Sequence, residues 1–382
     1  MRYYIIAGEA SGDLHGANLI RALARLDAYA EIRYWGGDSM ASACTETGVK
    51  AEQVKHINAL AYMGFIEVGM HLRSIARNIG LCKEDLLRYR PDAVIYIDYP
   101  GFNLKIARFA HRHGLHNYYY ISPQLWAWKK GRIKTMRQTL DRLYCILPFE
   151  ERFYAENHFE AACYVGHPLL DAVEQFRRHA DKDILSRDRQ HIVALLPGSR
   201  RQELKRMLPQ MARLAHRYPQ YRFVVAGMSL LGEALYSSLM PDRPANLTVA
   251  YDQTYSLLAQ ARAAIVCSGT ATLEAALFDV PQVVCYRANA LSIAIARMVA
   301  SRRVRYISLV NLIADQPIVT ELIQGDMSDR ALDRNFEAIV RDCTDRDRIL
   351  KGYATLRRIL GDGGASDRVA QDIIDDLRNR KK

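Results

Sequence analysis

Short apolar runs rich in β-branched and aromatic residues alternate along the chain with stretches whose apolar positions recur at helical spacing. That alternation is the pattern of βαβ units closing a parallel sheet. In the first half, Tyr3 to Ala7, Ile32 to Trp35, Ala93 to Ile97, Asn117 to Ile121, Leu143 to Leu147 and Cys163 to Val165 predict buried strands. Leu14 to Leu26 and Leu104 to His113 predict intervening helices. The charged segment Glu174 to Gln190 interrupts the rhythm, which restarts with strands at His191 to Leu196, Arg222 to Ala226, Leu247 to Ala250, Ala263 to Cys267 and Gln282 to Tyr286. The expected organisation is a doubly wound, Rossmann-like α/β domain over residues 1–175, a second over 190–345, and a charged helical tail over 346–382 packing back on the first. Two such halves create a cleft between facing sheet edges, and ligands of open α/β sheets bind beyond the carboxyl ends of the strands.

A length of 382 residues suits two domains, and 49% apolar with 25% charged residues describes a globular protein. The seven cysteines include no CxxC pair, so neither a disulfide framework nor a zinc-ligand spacing is present and a reducing cytoplasm fits best. The stretch Tyr3 to Ala7 is too short for an export signal, and Ala290 to Ala300 is broken by Arg297 well before the ~20 residues that span a bilayer. The net charge of +11 attracts anions. With no zinc-finger spacing, no RNP-type aromatic motif and no basic arm, it points to a lipid surface or a phosphate-bearing substrate, not to nucleic acid.

Three strand-to-helix turns carry small residues where a backbone must approach a ligand. Gly8, Glu9, Ser11, Gly12 and Asp13 lie in the first, which serves either as a bare turn or as a set of amides facing a polar ligand. The second, from Leu195 to Arg201, adds the guanidinium of Arg200 beside Ser199, a geometry suited to phosphate oxygens. The third places Ser268, Gly269, Thr270, Ala271 and Thr272 at a helix start with Glu274 a turn further in, within reach of a ribose diol. Taken alone, the third turn reads better as an ordinary capped helix; with Arg200 in the same half that reading loses ground, and two anion-binding turns in one half suggest a diphosphate.

Asp98 ends the apolar run from Ala93 and precedes a Pro-Gly turn. It reads either as a turn residue or, with burial raising its pKa, as a general base. The acidic pairs Asp181/Asp183 and Asp345/Asp347 each enclose a cation in a polar stretch and read as solvated surface, so no metal site and no cofactor are expected. A leaving diphosphate is then stabilised by Arg200 and helix termini.

The motifs AGEASGD, MGFIEV (Met63 to Val68), IDYPGFN (Ile97 to Asn103), ISPQLWAW (Ile121 to Trp128), LPFE, VGHP, LPGSR and SGTATLEA stand in the order found in the lipid A disaccharide synthase family, which the chain resembles over residues 3–325. The resemblance implies the GT-B fold and an inverting transfer from UDP-2,3-diacylglucosamine to the 6-hydroxyl of 2,3-diacylglucosamine 1-phosphate. It implies Asp98 as base and the turns at Arg200 and Ser268 to Glu274 as the UDP site with Asn311, Glu321 and Gln324 nearby. Met63, Glu67, Asn103 and Ser122 in its motifs are placed, with the first turn, at the acceptor or cleft. Trp126, with Trp128 beside Lys129, Lys130 and Arg132, reads either as an acceptor contact or as core or interface packing. Gly101 departs from the family, many members of which carry a second aspartate there, so Asp98 is the single candidate base.

The family works at the inner-membrane surface in Gram-negative bacteria, and Ile66, Val68, Met70, Leu72 and Ile75, interleaved with His71, Arg73 and Arg77, form a basic amphipathic stretch fit for a headgroup layer. Leu291 to Val299 before Arg302 reads either that way or as a core-facing helix. Relatives also suggest a homodimer. Two rivals stay open at this point: another UDP-sugar enzyme of the same fold, such as a peptidoglycan-type transferase or an epimerase, and a non-catalytic binder of anions.

Overall fold

The computed structural model describes residues 1–59, 72–125, 131–180, 191–287 and 305–380, with the Leu72 side chain left out. The chain begins β1 (Arg2–Ala7), α1 (Ala10–Leu26), β2 (Glu31–Gly36), α2 (Asp38–Thr47), β3 (Lys50–His56), α3 (Leu72–Tyr89) and β4 (Ala93–Ile97). It continues α4 (Pro100–Arg112), β5 (Asn117–Tyr120), α5 (Gly131–Thr139), β6 (Arg142–Cys145), α6 (Pro148–Ala155), β7 (Ala162–Tyr164) and α7 (Pro168–His179). The second rhythm is β8 (Ile192–Leu196), α8 (Arg201–Arg217), β9 (Arg222–Gly227), α9 (Glu233–Leu239), β10 (Leu247–Tyr251), α10 (Thr254–Gln260), β11 (Ala263–Cys267), α11 (Thr270–Leu277) and β12 (Gln282–Tyr286). After it come α12 (Leu309–Ala314), β13 (Thr320–Ile323), α13 (Asp329–Val340), α14 (Thr344–Leu360) and α15 (Ala365–Arg380).

Each half is a parallel sheet, ordered β3-β2-β1-β4-β5-β6-β7 in the first and β10-β9-β8-β11-β12-β13 in the second. The central strands β4 and β11 are buried along their whole length, as a sheet covered by helices on both faces requires. The runs that predicted strands all became strands, within a residue or two at their ends. β3 and β13 were not foreseen. Both are edge strands, and the polar sequence Lys50 to His56 shows neither an apolar run nor a buried face. α4 starts four residues before the apolar pattern does, because Pro100 occupies its first turn, where a missing N–H costs nothing.

The chain divides into two compact units, Met1–Pro168 with Asp362–Lys382, and Leu169–Gly361. The division therefore falls before the expected boundary at 175–190. Side chains of α7 explain it: Phe176 meets the rings of Tyr255 and Phe278 edge-on at 5.7 and 5.6 Å, and Arg177 donates to the Leu277 carbonyl at 2.8 Å. The tail likewise does not act as one piece. Tyr353 of α14 is buried in the second unit, where its hydroxyl donates to the Val280 carbonyl and accepts from Gln282 Nε2. Only α15 returns to the first unit, where it packs on α1 and accepts hydrogen bonds from sheet tyrosines, Tyr118 to Asp376 at 2.7 Å and Tyr144 to Asp372 at 2.8 Å.

Candidate active site

In the first sheet the topology reverses between β1 and β4: β1 leads on to β2 on one side, β4 to β5 on the other. The helices leaving these strands diverge and open a crevice at the carboxyl ends. Ala7 pairs with Ile97 at the last register position, so Gly8 and Asp98 are the first residues beyond it. Asp98 and Tyr99 both adopt left-handed backbone, with φ of 44° and 51°. Non-glycine residues held there cost of order 1–3 kcal/mol each and persist only where neighbours fix them. Here the Asp98 N–H donates to the Tyr120 carbonyl at 3.1 Å, and the Asp98 carbonyl accepts from Asn103 Nδ2 at 2.7 Å and from the Tyr119 hydroxyl at 2.5 Å. Asn103 is fully buried and thus holds the turn from beneath. Gly8 is fixed by the same turn, because a Cβ there would lie 2.4 Å from the Tyr99 ring.

Burial pushes the Asp98 carboxyl up from 3.8 to about 6, the like charge of Glu9 pushes the same way, and the hydrogen bond from the Tyr99 amide opposes them. Glu9 is the exposed N-cap of α1, with Ser11 exposed in its first turn and Gly12 buried close to Ala7 and Ile97. Asp13 faces elsewhere. Its carboxylate accepts from the amides of Gly37, Ser39 and Met40 at 2.5, 2.9 and 3.2 Å and so holds the start of α2. Ser122 is buried and donates to Glu150 Oε1 at 2.8 Å, while Glu150 also accepts from the Leu147 amide, which ties the end of β5 to α6. Neither Asp13 nor Ser122 presents an open polar group. Met63, Glu67, Trp126, Ile66, Val68 and Met70 lie outside the described residues; Leu72 begins α3, and Ile75 is half-buried on it.

The second sheet reverses between β8 and β11, and the turns after these strands are the two that the sequence marks for a diphosphate. Gly198 has φ of 103°, and a Cβ on it would lie 2.5 Å from Glu203, so glycine is required. Ser199 and Arg200 are exposed at the start of α8. Glu203, half-buried, accepts from the Arg200 amide at 3.3 Å and stands 3.6 Å from its guanidinium, which is itself exposed to solvent. In the third turn Gly269, at φ 121°, caps α11 with Thr270 exposed and Ser268 and Ala271 half-buried. Thr272 is buried; its hydroxyl donates to the Gly269 carbonyl and accepts from the Leu309 amide, which makes it a brace.

Glu274 is half-buried and accepts from the Tyr255 hydroxyl at 3.3 Å; burial raises its pKa and that hydrogen bond opposes the rise. Asn311 and Glu321 are brought together but face each other. Glu321 accepts from the Ile307 and Ser308 amides, the Ser308 hydroxyl and Asn311 Nδ2, and Asn311 closes two further bonds with the Val319 backbone. Both hold the loop before α12 in shape. Gln324 follows β13 with φ of 56°. Glu203 and Tyr255 were not foreseen; the capping spacing of Glu203 from Arg200 was a usable signal, and Tyr255 carried none.

Among the described residues no helix is long and apolar enough to cross a membrane, and no group of three or more His, Cys, Asp or Glu residues is placed to hold a metal ion.

Comparison with known proteins follows the same lines. A family model described as lipid-A-disaccharide synthetase matches residues 3–351. The lipid-A-disaccharide synthase of Geobacter sulfurreducens is 36% identical over 98% of this chain and 97% of its own length. That of Syntrophus aciditrophicus is 38% identical over 96% and 95%. Among solved structures, a UDP-GlcNAc 2-epimerase from Neisseria meningitidis bound to UDP-GlcNAc matches with a TM-score of 0.68 at 12% identity, covering 98% of this chain and all of its own. The glycotransferase of kitacinnamycin matches with a TM-score of 0.65 at 17% identity over 98% of both chains. At these identities the structural likeness speaks for the fold alone.

Proposed function

We propose, for a chain that belongs to the lipid-A-disaccharide synthetase family and is a GT-B glycosyltransferase of lipid A disaccharide synthesis, that its two switch points divide the reaction between them. The substrates are a UDP-sugar, UDP-2,3-diacylglucosamine, and the acceptor 2,3-diacylglucosamine 1-phosphate. Asp98 accepts the proton of the acceptor's 6-hydroxyl as that oxygen attacks the anomeric carbon of the donor. The bond from the anomeric carbon to the diphosphate breaks, UDP leaves with the electron pair, and inversion gives the β-1,6 disaccharide 1-phosphate. A carboxyl with a pKa of about 6 is ionised near neutral pH yet basic enough to assist the transfer.

The leaving diphosphate is taken up by Arg200, Ser199 and the amides and hydroxyls of Ser268, Gly269, Thr270 and Ala271 at helix starts, where the dipoles favour negative charge. Glu274, oriented by Tyr255, accepts from a ribose hydroxyl. Glu9 and Ser11 border the acceptor. The observation that carries this reading is the pairing of one topology with opposite chemistry: carboxylates at β1 and β4, a cation and hydroxyls at β8 and β11. The chain acts peripherally, on the cytoplasmic surface of the inner membrane, where both acylated substrates reside.

Incubating the chain with the two acylated sugars and weighing the products by mass spectrometry tests this. The expected result is the disaccharide 1-phosphate with one equivalent of UDP, and no turnover of UDP-N-acetylglucosamine. Release of UDP from UDP-N-acetylglucosamine, or its epimerisation, with no acylated disaccharide formed, contradicts it.

A further inference from the structure

Two neighbouring helices of the first unit carry cations and no acid. α4 and α5 carry Lys105, Arg108, Arg112, Arg132, Lys134 and Arg137, and neither helix contains an aspartate or glutamate. Lys105, Arg108 and Arg112, three and four residues apart, share one side of α4. With Ile79 and Lys83, one turn apart on α3, and with Phe109 they line an open groove of about 340 Å³. The Lys83 ammonium lies over the Phe109 ring at 5.1 Å, and the Arg108 guanidinium donates to the Thr135 hydroxyl at 2.6 Å, so two of the cations have fixed positions. Of the two acids on α3, Asp85 is engaged by Arg88 and Arg33, and Glu84 is exposed and is not among the groove's lining residues. Among the described residues no ion pair joins any of the groove's four cations to a carboxylate.

Like charges gathered round one groove repel each other in the folded chain, and among the described residues no carboxylate pairs with them to offset this. An external one does. We infer that the α3–α4 groove binds the phosphate of an anionic phospholipid headgroup. Its lining favours a lipid over a free anion: Ile79 and Phe109 give it an apolar wall, Ile75 one turn earlier on α3 extends that stripe, and the long stems of Lys105, Arg108 and Arg112 present methylenes with the charge at the tip. α4 is also the helix that starts at the Asp98 turn, so a lipid held along it sets that turn relative to the bilayer. The inference rests on the peripheral-membrane reading above and gives it a site.

Co-sedimentation of the full chain with vesicles tests it, using phosphatidylcholine alone and phosphatidylcholine mixed with phosphatidylglycerol. The Lys105→Gln/Arg108→Gln/Arg112→Gln variant changes exposed side chains only. It is expected to lose roughly 100-fold in partitioning onto the anionic vesicles, from the sum of three surface cations. Its turnover with detergent-dispersed substrates stays unchanged. A control, Arg330→Gln/Arg334→Gln/Lys351→Gln, removes the same charge from exposed positions of the second unit and is expected to lose far less. Equal losses in the two variants, or none in the first, overturn the site. Displacement from vesicles by inorganic phosphate, but not by sodium chloride of equal ionic strength, also overturns it, in favour of a soluble anion. Failure of the unmodified chain to bind anionic vesicles sinks the membrane reading itself, whereas binding that the groove variant shares in full sinks the groove alone.

Discussion

The crevice at β1 and β4 and the crevice at β8 and β11 are topological equivalents, each made where a parallel sheet reverses its direction of winding. Their chemistry is opposite. The first offers Glu9 at the N-cap of α1 and Asp98 on a turn held in left-handed backbone; the second offers Arg200, serine and threonine hydroxyls and two helix starts opened by glycines with positive φ. Topology fixes where a ligand sits in such a sheet, and the residues just past the strand ends fix what it is. A base needs burial and a like charge to raise its pKa, whereas a diphosphate site needs exposed donors and a cation left accessible.

Exchanging the acid at the first crevice breaks the comparison most severely. Asp98→Asn is expected to lower turnover by about 10³-fold, the typical size of general-base assistance, with UDP affinity retained. The same variant is expected to gain stability. Folding raises the Asp98 pKa from 3.8 to about 6, so the carboxyl's favourable contribution is present below 3.8 and is lost as pH rises through about 6. Near neutral pH the ionised group therefore costs stability, of order 1–3 kcal/mol, and asparagine removes that cost. Thermal unfolding of the two proteins should coincide at acidic pH and separate as pH rises.

At the second crevice, Arg200→Ala is expected to weaken UDP binding by roughly 10- to 100-fold, the range for a lost charge-assisted hydrogen bond, as read by calorimetry. Gly8→Ala sets a methyl group against the Tyr99 ring and is expected to cost about 1–3 kcal/mol of stability and to raise KM for the acceptor. Asn311→Ala sharpens the second crevice by separating shape from contact. Asn311 bonds Val319 and Glu321 internally, so a loss of about 1–3 kcal/mol in stability is expected with little change in UDP affinity. An unchanged Tm with much weaker UDP binding would assign Asn311 to the nucleotide instead. The smallest effect belongs to Glu9→Gln, which removes a like charge and should move the acidic limb of the pH–rate profile to lower pH without abolishing turnover.

Much of this was legible in the sequence because buried parallel strands write continuous apolar runs, and every such run became a strand. What stayed hidden were features whose cause is tertiary. β3 is polar because it closes the sheet at an edge, α4 starts under a proline that breaks no bond there, and α14 and α15 part company because Tyr353 is buried in one unit while Tyr118 and Tyr144 reach Asp376 and Asp372 in the other. At the candidate site, the motif turns stand just past the strands where each sheet reverses, but the motifs gave no sign of the division of labour within them. Asp13, Ser122, Thr272, Asn311 and Glu321 stand in or near the motif segments, yet their polar atoms are engaged by neighbouring backbone and side chains. Spacing cannot tell a residue that touches a ligand from one that holds the turn that does.

The most direct test is a calorimetric titration of UDP into Asp98→Asn and Arg200→Ala under identical conditions. If the base and the diphosphate site are separate, the first variant binds UDP as the unmodified chain does and the second binds it at least tenfold more weakly. Equal weakening in both, or a loss confined to Asp98→Asn, contradicts the account.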